Sequence, residues 1–212
     1  MSKKLRHLAP SEFHAALDRL FGEIAVLHGL WEHHNFLFAS GNQRVEMLNI
    51  CASWFFGMTQ RMMTREMILG ISRLTDSATI GPFDNLTIAG LLRDPALRGQ
   101  RNARRRLRRR VARAIRLAEP IRTHRNKYVA HLDHALAVGN PATPLPRFPL
   151  ATVGKTIHAL EDAYNEHART VRNAHASFGS NALGGAEALC GILEDSERWK
   201  QWLKAEAENP SY

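Results

Sequence analysis

Residues 43–76 are QRVEMLNICASWFFGMTQRMMTREMILGISRLTD, a stretch in which apolar side chains recur at helical spacing. One face of a helix over these residues carries Val45, Leu48, Ala52, Phe55, Met58, Met62 and Leu69. Other sides are apolar as well, through Trp54, Phe56, Met63 and Met67. A helix that is apolar on more than one side is usually buried, so the stretch predicts a long helix at the centre of the fold.

Helical periodicity continues on both sides of this stretch. Upstream, apolar residues recur from Phe13 to Trp31 behind the start signal at Ser11, and Ser40-Gly41-Asn42 ends that helix. Downstream, we expect a loop at 77–86, a short helix through Leu92, helices over about 95–118, 121–137, 151–177 and 186–207, and a proline-rich link at 139–149. Pro120 either starts a new helix or kinks the preceding one.

The chain shows no alternating strand pattern of useful length and no internal repeat. These features predict an all-α helical bundle with an Arg-rich helix. We expect a single domain over residues 1–212, with its core at about 10–175 and a C-terminal helical extension at about 186–207.

The composition limits the class of protein. The chain has 212 residues, of which 44% are hydrophobic and 23% charged, and this balance excludes a largely disordered protein. Its 2 cysteines exclude a disulfide scaffold and a Cys-rich zinc site. Because we find neither a membrane span nor an apolar secretory signal, we expect the protein in the cytoplasm.

The net charge of +9 is concentrated in one segment. Residues 93–116 contain eleven arginines and one aspartate, whereas the rest of the chain carries 18 basic and 19 acidic residues. Solvated helix faces usually mix the two signs, so this segment indicates contact with a polyanion. Packing against an acidic partner protein is the main alternative. A membrane-surface helix is disfavoured because the apolar stripe is mostly alanine.

Residues 119–134 are EPIRTHRNKYVAHLDH and place an arginine on an apolar stripe. On a helical wheel, Arg125 falls among Ile121, Tyr128, Leu132 and Leu136. An inward arginine needs an anionic partner or water, because an unpaired buried charge is unstable. A structural ion pair with Glu66 or Asp76 of the central helix is one explanation, and a functional phosphate contact is the other.

Arg125-Asn126 followed by His131 resembles the motif of the HEPN superfamily. The longer string His-Arg-Asn-Lys-Tyr-Val-Ala-His-Leu-Asp at 124–133 and the phrase Arg-Leu-Thr-Asp at 73–76 are similar to the abortive-infection, AbiU-type branch. The resemblance covers about residues 10–175. It implies a helical bundle that forms homodimers and cleaves RNA without a metal ion or cofactor, in phage defence or a toxin–antitoxin context, where an antitoxin protein is a possible partner.

The resemblance also assigns roles to individual residues. The catalytic candidates are Arg125, Asn126 and His131, with His131 moving protons and Arg125 holding the phosphate. The concentrated positive charge, not the resemblance, is the basis for the RNA-binding candidates, which are Arg101, Arg104, Arg105, Arg108, Arg109 and Lys127. We expect supporting roles for Glu66, Arg73, Asp76, Tyr128 and Asp133.

On an ideal helix, Arg125 and His131 do not face one another, because six residues turn through about 600°. Either the helix is distorted, or the arginine of one protomer meets the histidine of the other in a composite site. Two further interpretations stay open. One is a non-catalytic RNA-binding or protein-interaction HEPN module, and the weaker one is a metal enzyme built on the histidines.

Overall fold

The computed structural model of the chain describes residues 10–80, 83–126, 149–179 and 185–208. Its helices are α1 (Pro10–Phe38), α2 (Asn42–Thr75), α3 (Arg101–His124), α4 (Leu150–Arg172) and α5 (Ala186–Glu208). Two short 3₁₀ helices, Ile88–Arg93 and Pro95–Leu97, precede α3. The fold is all-α, as predicted. In the described residues, β structure is limited to the antiparallel pair β1 (Thr79–Ile80) and β2 (Phe83–Asp84), within the segment expected to be loop.

Several helix boundaries differ from the expected ones. A helix from about residue 95 was expected, but Gly99 has φ 81° and separates the 3₁₀ turn from α3. α3 then continues through Pro120 to His124 as one helix, although proline has no N–H for the carbonyl four residues earlier. α2 is interrupted at Ala52, whose φ of −165° and ψ of 70° are not helical.

Contacts divide the described residues into two compact units. Those within Met1–Gly29 and Arg65–Gly179 form the first unit, and those within Leu30–Thr64 and Ser180–Tyr212 form the second. The prediction of a single domain stays a prediction.

The core of the first unit is built from four helices. Buried apolar side chains come from α1, α2, α3 and α4, including Leu20, Ile24, Met67, Ile71, Leu107, Ile121, Ile157 and Leu160. α1 and α2 approach closely at Gly70, where an added Cβ would lie 2.7 Å from Cδ2 of Leu27. The close packing of these helices therefore depends on the absence of a side chain at Gly70.

A buried polar link fixes the segment before α3 to α4. Asp94 Oδ2 and His167 Nε2 lie 2.8 Å apart, and both side chains are buried. The other carboxylate oxygen of Asp94 accepts a hydrogen bond from the backbone N–H of Ala96 at 2.8 Å. Burial lowers the pKa of His167, although the hydrogen bond and the charge of Asp94 act in the opposite direction.

The core of the second unit contains Leu37, Leu48, Phe56, Ala186 and Cys190. The expected burial of α2 on several sides is wrong over residues 50–62, where Ile50, Trp54, Phe55 and Met62 are exposed large apolar residues. The physical reason is that burial depends on which helices pack opposite, and the second core forms on the side of Leu48 and Phe56.

Candidate functional site

The end of α2 is joined to the end of α3 by two arginines. Arg122 Nη1 donates to the backbone oxygen of Thr75 at 2.7 Å, and Arg125 Nη2 donates to Asp76 Oδ1 at 3.1 Å. The side chains of Arg125 and Asp76 are each 23% exposed. The Arg-Leu-Thr-Asp phrase and the start of the Arg-Asn motif, which lie far apart in the sequence, are therefore in contact.

Of the two acidic partners considered for Arg125, the structure selects Asp76. Glu66 bonds to Arg73 instead, at 2.9 Å, and Arg73 also lies 3.7 Å from Glu23. This second cluster is more exposed than the Arg125–Asp76 pair, and among the described residues neither Glu66 nor Arg73 forms an ion pair or hydrogen bond with Arg125. Asp76 therefore positions the motif arginine.

Asp76 occupies only part of the guanidinium of Arg125. A guanidinium has five N–H donors, and the buried Nε–H of Arg125 has no hydrogen-bond partner among the described residues. An arginine held by one carboxylate oxygen keeps donors for an additional anion, and its planar fork suits phosphate. Arg125 is thus chemically able to bind a phosphate while Asp76 orients it.

The helix changes its geometry at the motif. Arg125 and Asn126 follow α3 in a wider, π-type turn, and Asn126 is exposed. Such turns are frequent at functional sites. Although this turn is wider, Arg125 itself keeps right-handed helical dihedrals (φ −53°, ψ −50°) and its backbone N–H bonds to the oxygen of Ile121. The choice between a distorted helix and a composite site therefore stays open. His131 lies outside the described residues, as do Lys127, Tyr128 and Asp133, so their assigned roles stay predictions.

Two residues near Arg125 were not singled out as site residues by the sequence. Arg122 holds α3 to the end of α2, and its position three residues before Arg125 could have indicated a shared face. His124 precedes the motif directly, and burial lowers its pKa, which favours the neutral imidazole at pH 7.

The arginines of α3 divide into two groups according to what they face. Buried Ala103, Leu107, Val111, Ala114 and Ala118 form one side of the helix. Next to it, Arg106, Arg110 and Arg113 form ion pairs with two acids of α4. Arg106 Nε lies 2.7 Å and Arg110 Nε 3.2 Å from Glu166, and Arg113 Nη1 lies 3.5 Å from Asp162. These arginines stabilise the packing of α3 on α4.

Glu166 shows how strongly the paired arginines act. Burial alone would raise the pKa of Glu166, but the hydrogen bond from Arg106 and the charges of Arg106, Arg110 and Arg169 outweigh it and lower the pKa. The carboxylate is therefore ionised at neutral pH and keeps its partners. Asp162 and Glu166 therefore offset part of the positive charge of this group within the chain.

The remaining arginines of α3 form an exposed face that we call the open arginine face: Arg101, Arg104, Arg105, Arg108, Arg109 and Arg116. They span about 140° of the helical wheel. None of them has an ion pair or side-chain hydrogen bond within the part of the chain that the structure describes. Five of the six are the arginines predicted to bind RNA, and their role in binding stays a prediction.

The family of the chain follows from its sequence. The AbiU2 model of HEPN domains matches residues 10–187. The chain belongs to the AbiU2 family of HEPN proteins. The predicted resemblance to abortive-infection HEPN proteins is thereby confirmed. No curated protein and no solved structure matches this AbiU2-family chain.

Among the described residues, no helix combines the length and the apolar character that crossing a bilayer requires.

Proposed function

We propose that this AbiU2-family protein is a metal-independent endoribonuclease that acts in the cytoplasm, in phage defence or a toxin–antitoxin context. The observation that carries the proposal is the Arg125–Asp76 pair, which holds the motif arginine in one orientation at the end of α3. The coarser role, that of an abortive-infection-type HEPN protein, rests on the family itself.

The proposed reaction needs few groups. The ribose 2′-hydroxyl attacks the adjacent phosphorus, its proton goes to a base, and the 5′-oxygen of the next nucleotide leaves with a proton. His131 serves these proton transfers because an imidazole titrates near neutral pH. Arg125 binds the phosphate and stabilises the charge that grows in the transition state. Asn126 positions a phosphate or hydroxyl oxygen.

The open arginine face supports the choice of RNA as substrate. Its arginines have no intramolecular partners among the described residues, so a polyanion gains their full attraction without breaking ion pairs. Arg109 lies about 24 Å along the helix from Arg125, at 1.5 Å per residue. We therefore expect the enzyme to bind an extended RNA strand along α3 and to act on it near the motif.

Exposed apolar residues of α2 support a homodimer. Ile50, Trp54 and Met62 of α2 are more than half exposed on the second unit. Large apolar side chains exposed together are typical of surfaces that are covered by a partner. In the proposed dimer, the Arg125 and His131 motifs of two protomers meet in one cleft.

The test is RNA cleavage by the purified full chain in EDTA. We expect wild-type protein to cut single-stranded RNA and to leave RNA with 2′-O-methyl groups uncut but bound. Arg125→Ala and His131→Ala should each remove cleavage. Arg172→Ala is the matched control, because it deletes an arginine whose ion pair with Asp18 also joins two helices. Cleavage that persists in Arg125→Ala, or that requires a metal ion, would contradict the proposal.

The second candidate is a non-catalytic RNA-binding or protein-interaction HEPN module, which the Arg125–Asp76 ion pair also suits as a structural contact. In that case Arg125→Ala should lower the free energy of unfolding by about 3–5 kcal/mol, because it leaves Asp76 unpaired and largely buried. The same loss is expected if Arg125 is catalytic, because Arg125 is paired with Asp76 in either case. RNA cleavage by the folded wild-type chain, which a non-catalytic module lacks, therefore separates the two candidates, and urea unfolding checks that the variants are folded.

A further inference from the structure

Two histidines and one glutamate of the first unit converge at a place that the proposed reaction does not use. His28 lies on α1, whereas His158 and Glu161 lie on α4. The latter two are at positions i and i+3, which places them on one face of the helix. The donor atoms of the three side chains all lie within 4.8 Å of one another. Among the His, Cys, Asp and Glu side chains of the described residues, these three are close enough to one another to share a metal ion.

The two histidines present the same ring atom to the same carboxylate. Nδ1 of His28 bonds to Oε1 of Glu161, and Nδ1 of His158 lies 3.0 Å from Oε2. The ring centroids of the two histidines are 5.9 Å apart, with the planes nearly perpendicular. Two imidazole nitrogens and a carboxylate, all able to bind a metal ion, therefore lie close together.

We infer that His28, His158 and Glu161 form a binding site for a divalent transition metal, and that the ion is Zn²⁺. Two imidazole nitrogens and one carboxylate oxygen are a known zinc-ligand set. Ligands of a tetrahedral zinc ion lie about 3.4 Å apart, given metal–ligand bonds near 2.1 Å. Small movements of the side chains bring the ligand atoms of His28, His158 and Glu161 to these distances. Nδ1 of each imidazole binds the ion, so the ring proton is on Nε2.

The exposure of the three ligands defines the kind of site. The side chains of His28 and Glu161 are 12% and 14% exposed, whereas that of His158 is 60% exposed. The ion therefore lies at the surface, between two well-anchored ligands and one that faces solvent. Three protein ligands leave one coordination position for water.

The metal links α1 to α4, the helix whose Asp162 and Glu166 hold the paired arginines of α3. Metal binding that requires the folded arrangement of two helices stabilises the folded state. The inference does not depend on the proposed reaction, because the metal has no role in cleavage. Zinc binding and EDTA-resistant cleavage can each fail without the other.

The experiment uses the full-length protein without a histidine tag, treated with EDTA and then desalted. Zn²⁺ is titrated in competition with a chromophoric chelator, and Co²⁺ serves as the spectroscopic probe. We expect one equivalent of Zn²⁺ per chain, the visible absorption of four-coordinate Co²⁺, and a higher Tm in the presence of Zn²⁺. Failure of the wild-type chain to compete with the chelator would overturn the inference.

The variants identify the ligands. His158→Ala and Glu161→Gln should each weaken Zn²⁺ binding by at least about 100-fold, because even side chains that only hydrogen-bond to a metal ligand contribute tenfold or more. His175→Ala is the matched control, since His175 is also exposed in the first unit but lies outside the cluster. Because His158 is largely exposed, its variant should keep the Tm of the metal-free wild type. Equal binding by wild type and His158→Ala would refute the assignment.

Discussion

Replacing Arg104 and Arg108 by glutamine should weaken RNA binding and reduce its salt dependence. Both arginines belong to the open arginine face, lie one helical turn apart and have no partner among the described residues. Their substitution therefore removes two charges without breaking an ion pair of the fold. The change tests whether this face, and not the overall charge, binds RNA.

The magnitude follows from counterion release. Each phosphate contact with a single strand contributes about −0.7 to the slope of log K against log salt, so two contacts contribute about −1.4. At 0.1 M salt, one contact corresponds to about a fivefold gain in affinity, and two contacts to about 25-fold. The double variant should therefore bind about 25-fold more weakly at this salt concentration, with a slope that is smaller by about 1.4 units.

The assay is fluorescence anisotropy with a 2′-O-methyl RNA strand, which the proposed mechanism cannot cleave, at several salt concentrations. Arg61→Gln with Arg65→Gln is the matched control, because these arginines are also exposed and lie one turn apart on α2. The control should keep the wild-type slope of log K against log salt to within a few tenths of a unit. Equal effects of the two double variants would show that net charge governs binding and would refute the role of the open arginine face.

Three further predictions concern packing, pH and the composite site. Gly70→Ala should lower the free energy of unfolding by about 1–3 kcal/mol, because its Cβ meets a packed leucine. Gly57→Ala is the control in the same urea unfolding assay. It has open space around its Cβ and should raise the free energy of unfolding by about 0.5–1 kcal/mol. Burial lowers the pKa of His167 in the folded state, so the unfolded chain binds the proton more tightly. The free energy of unfolding should therefore fall as the pH drops below about 6.5. In unfolding curves measured from pH 8 to 5, His167→Gln should flatten this dependence. Mixing Arg125→Ala with His131→Ala chains should restore part of the RNA cleavage if one site uses both protomers, whereas an inactive mixture of confirmed heterodimers would refute a composite site.

Much of the site could be predicted from residues that are close in the sequence. The inward position of Arg125 and the choice between two acids followed from helical spacing, because a charge on an apolar stripe needs a partner. The choice of Asp76 over Glu66 did not follow. It depends on how far α2 extends and on where the end of α3 packs against it, and spacing within one helix carries no information about either.

The amino-acid sequence by itself determined the helical character of the chain, the concentration of arginine in one helix and the membership of the AbiU2 family. These properties are local, since periodicity, composition and motifs reside in neighbouring residues. Only the tertiary structure decided which arginines of α3 are paired, because their partners Asp162 and Glu166 come from α4, 49 to 60 residues away along the chain. The tertiary structure also decided that Trp54 and Met62 of α2 are exposed, because burial depends on which helices pack opposite. It likewise placed His28 beside Glu161, which lies 133 residues away along the chain.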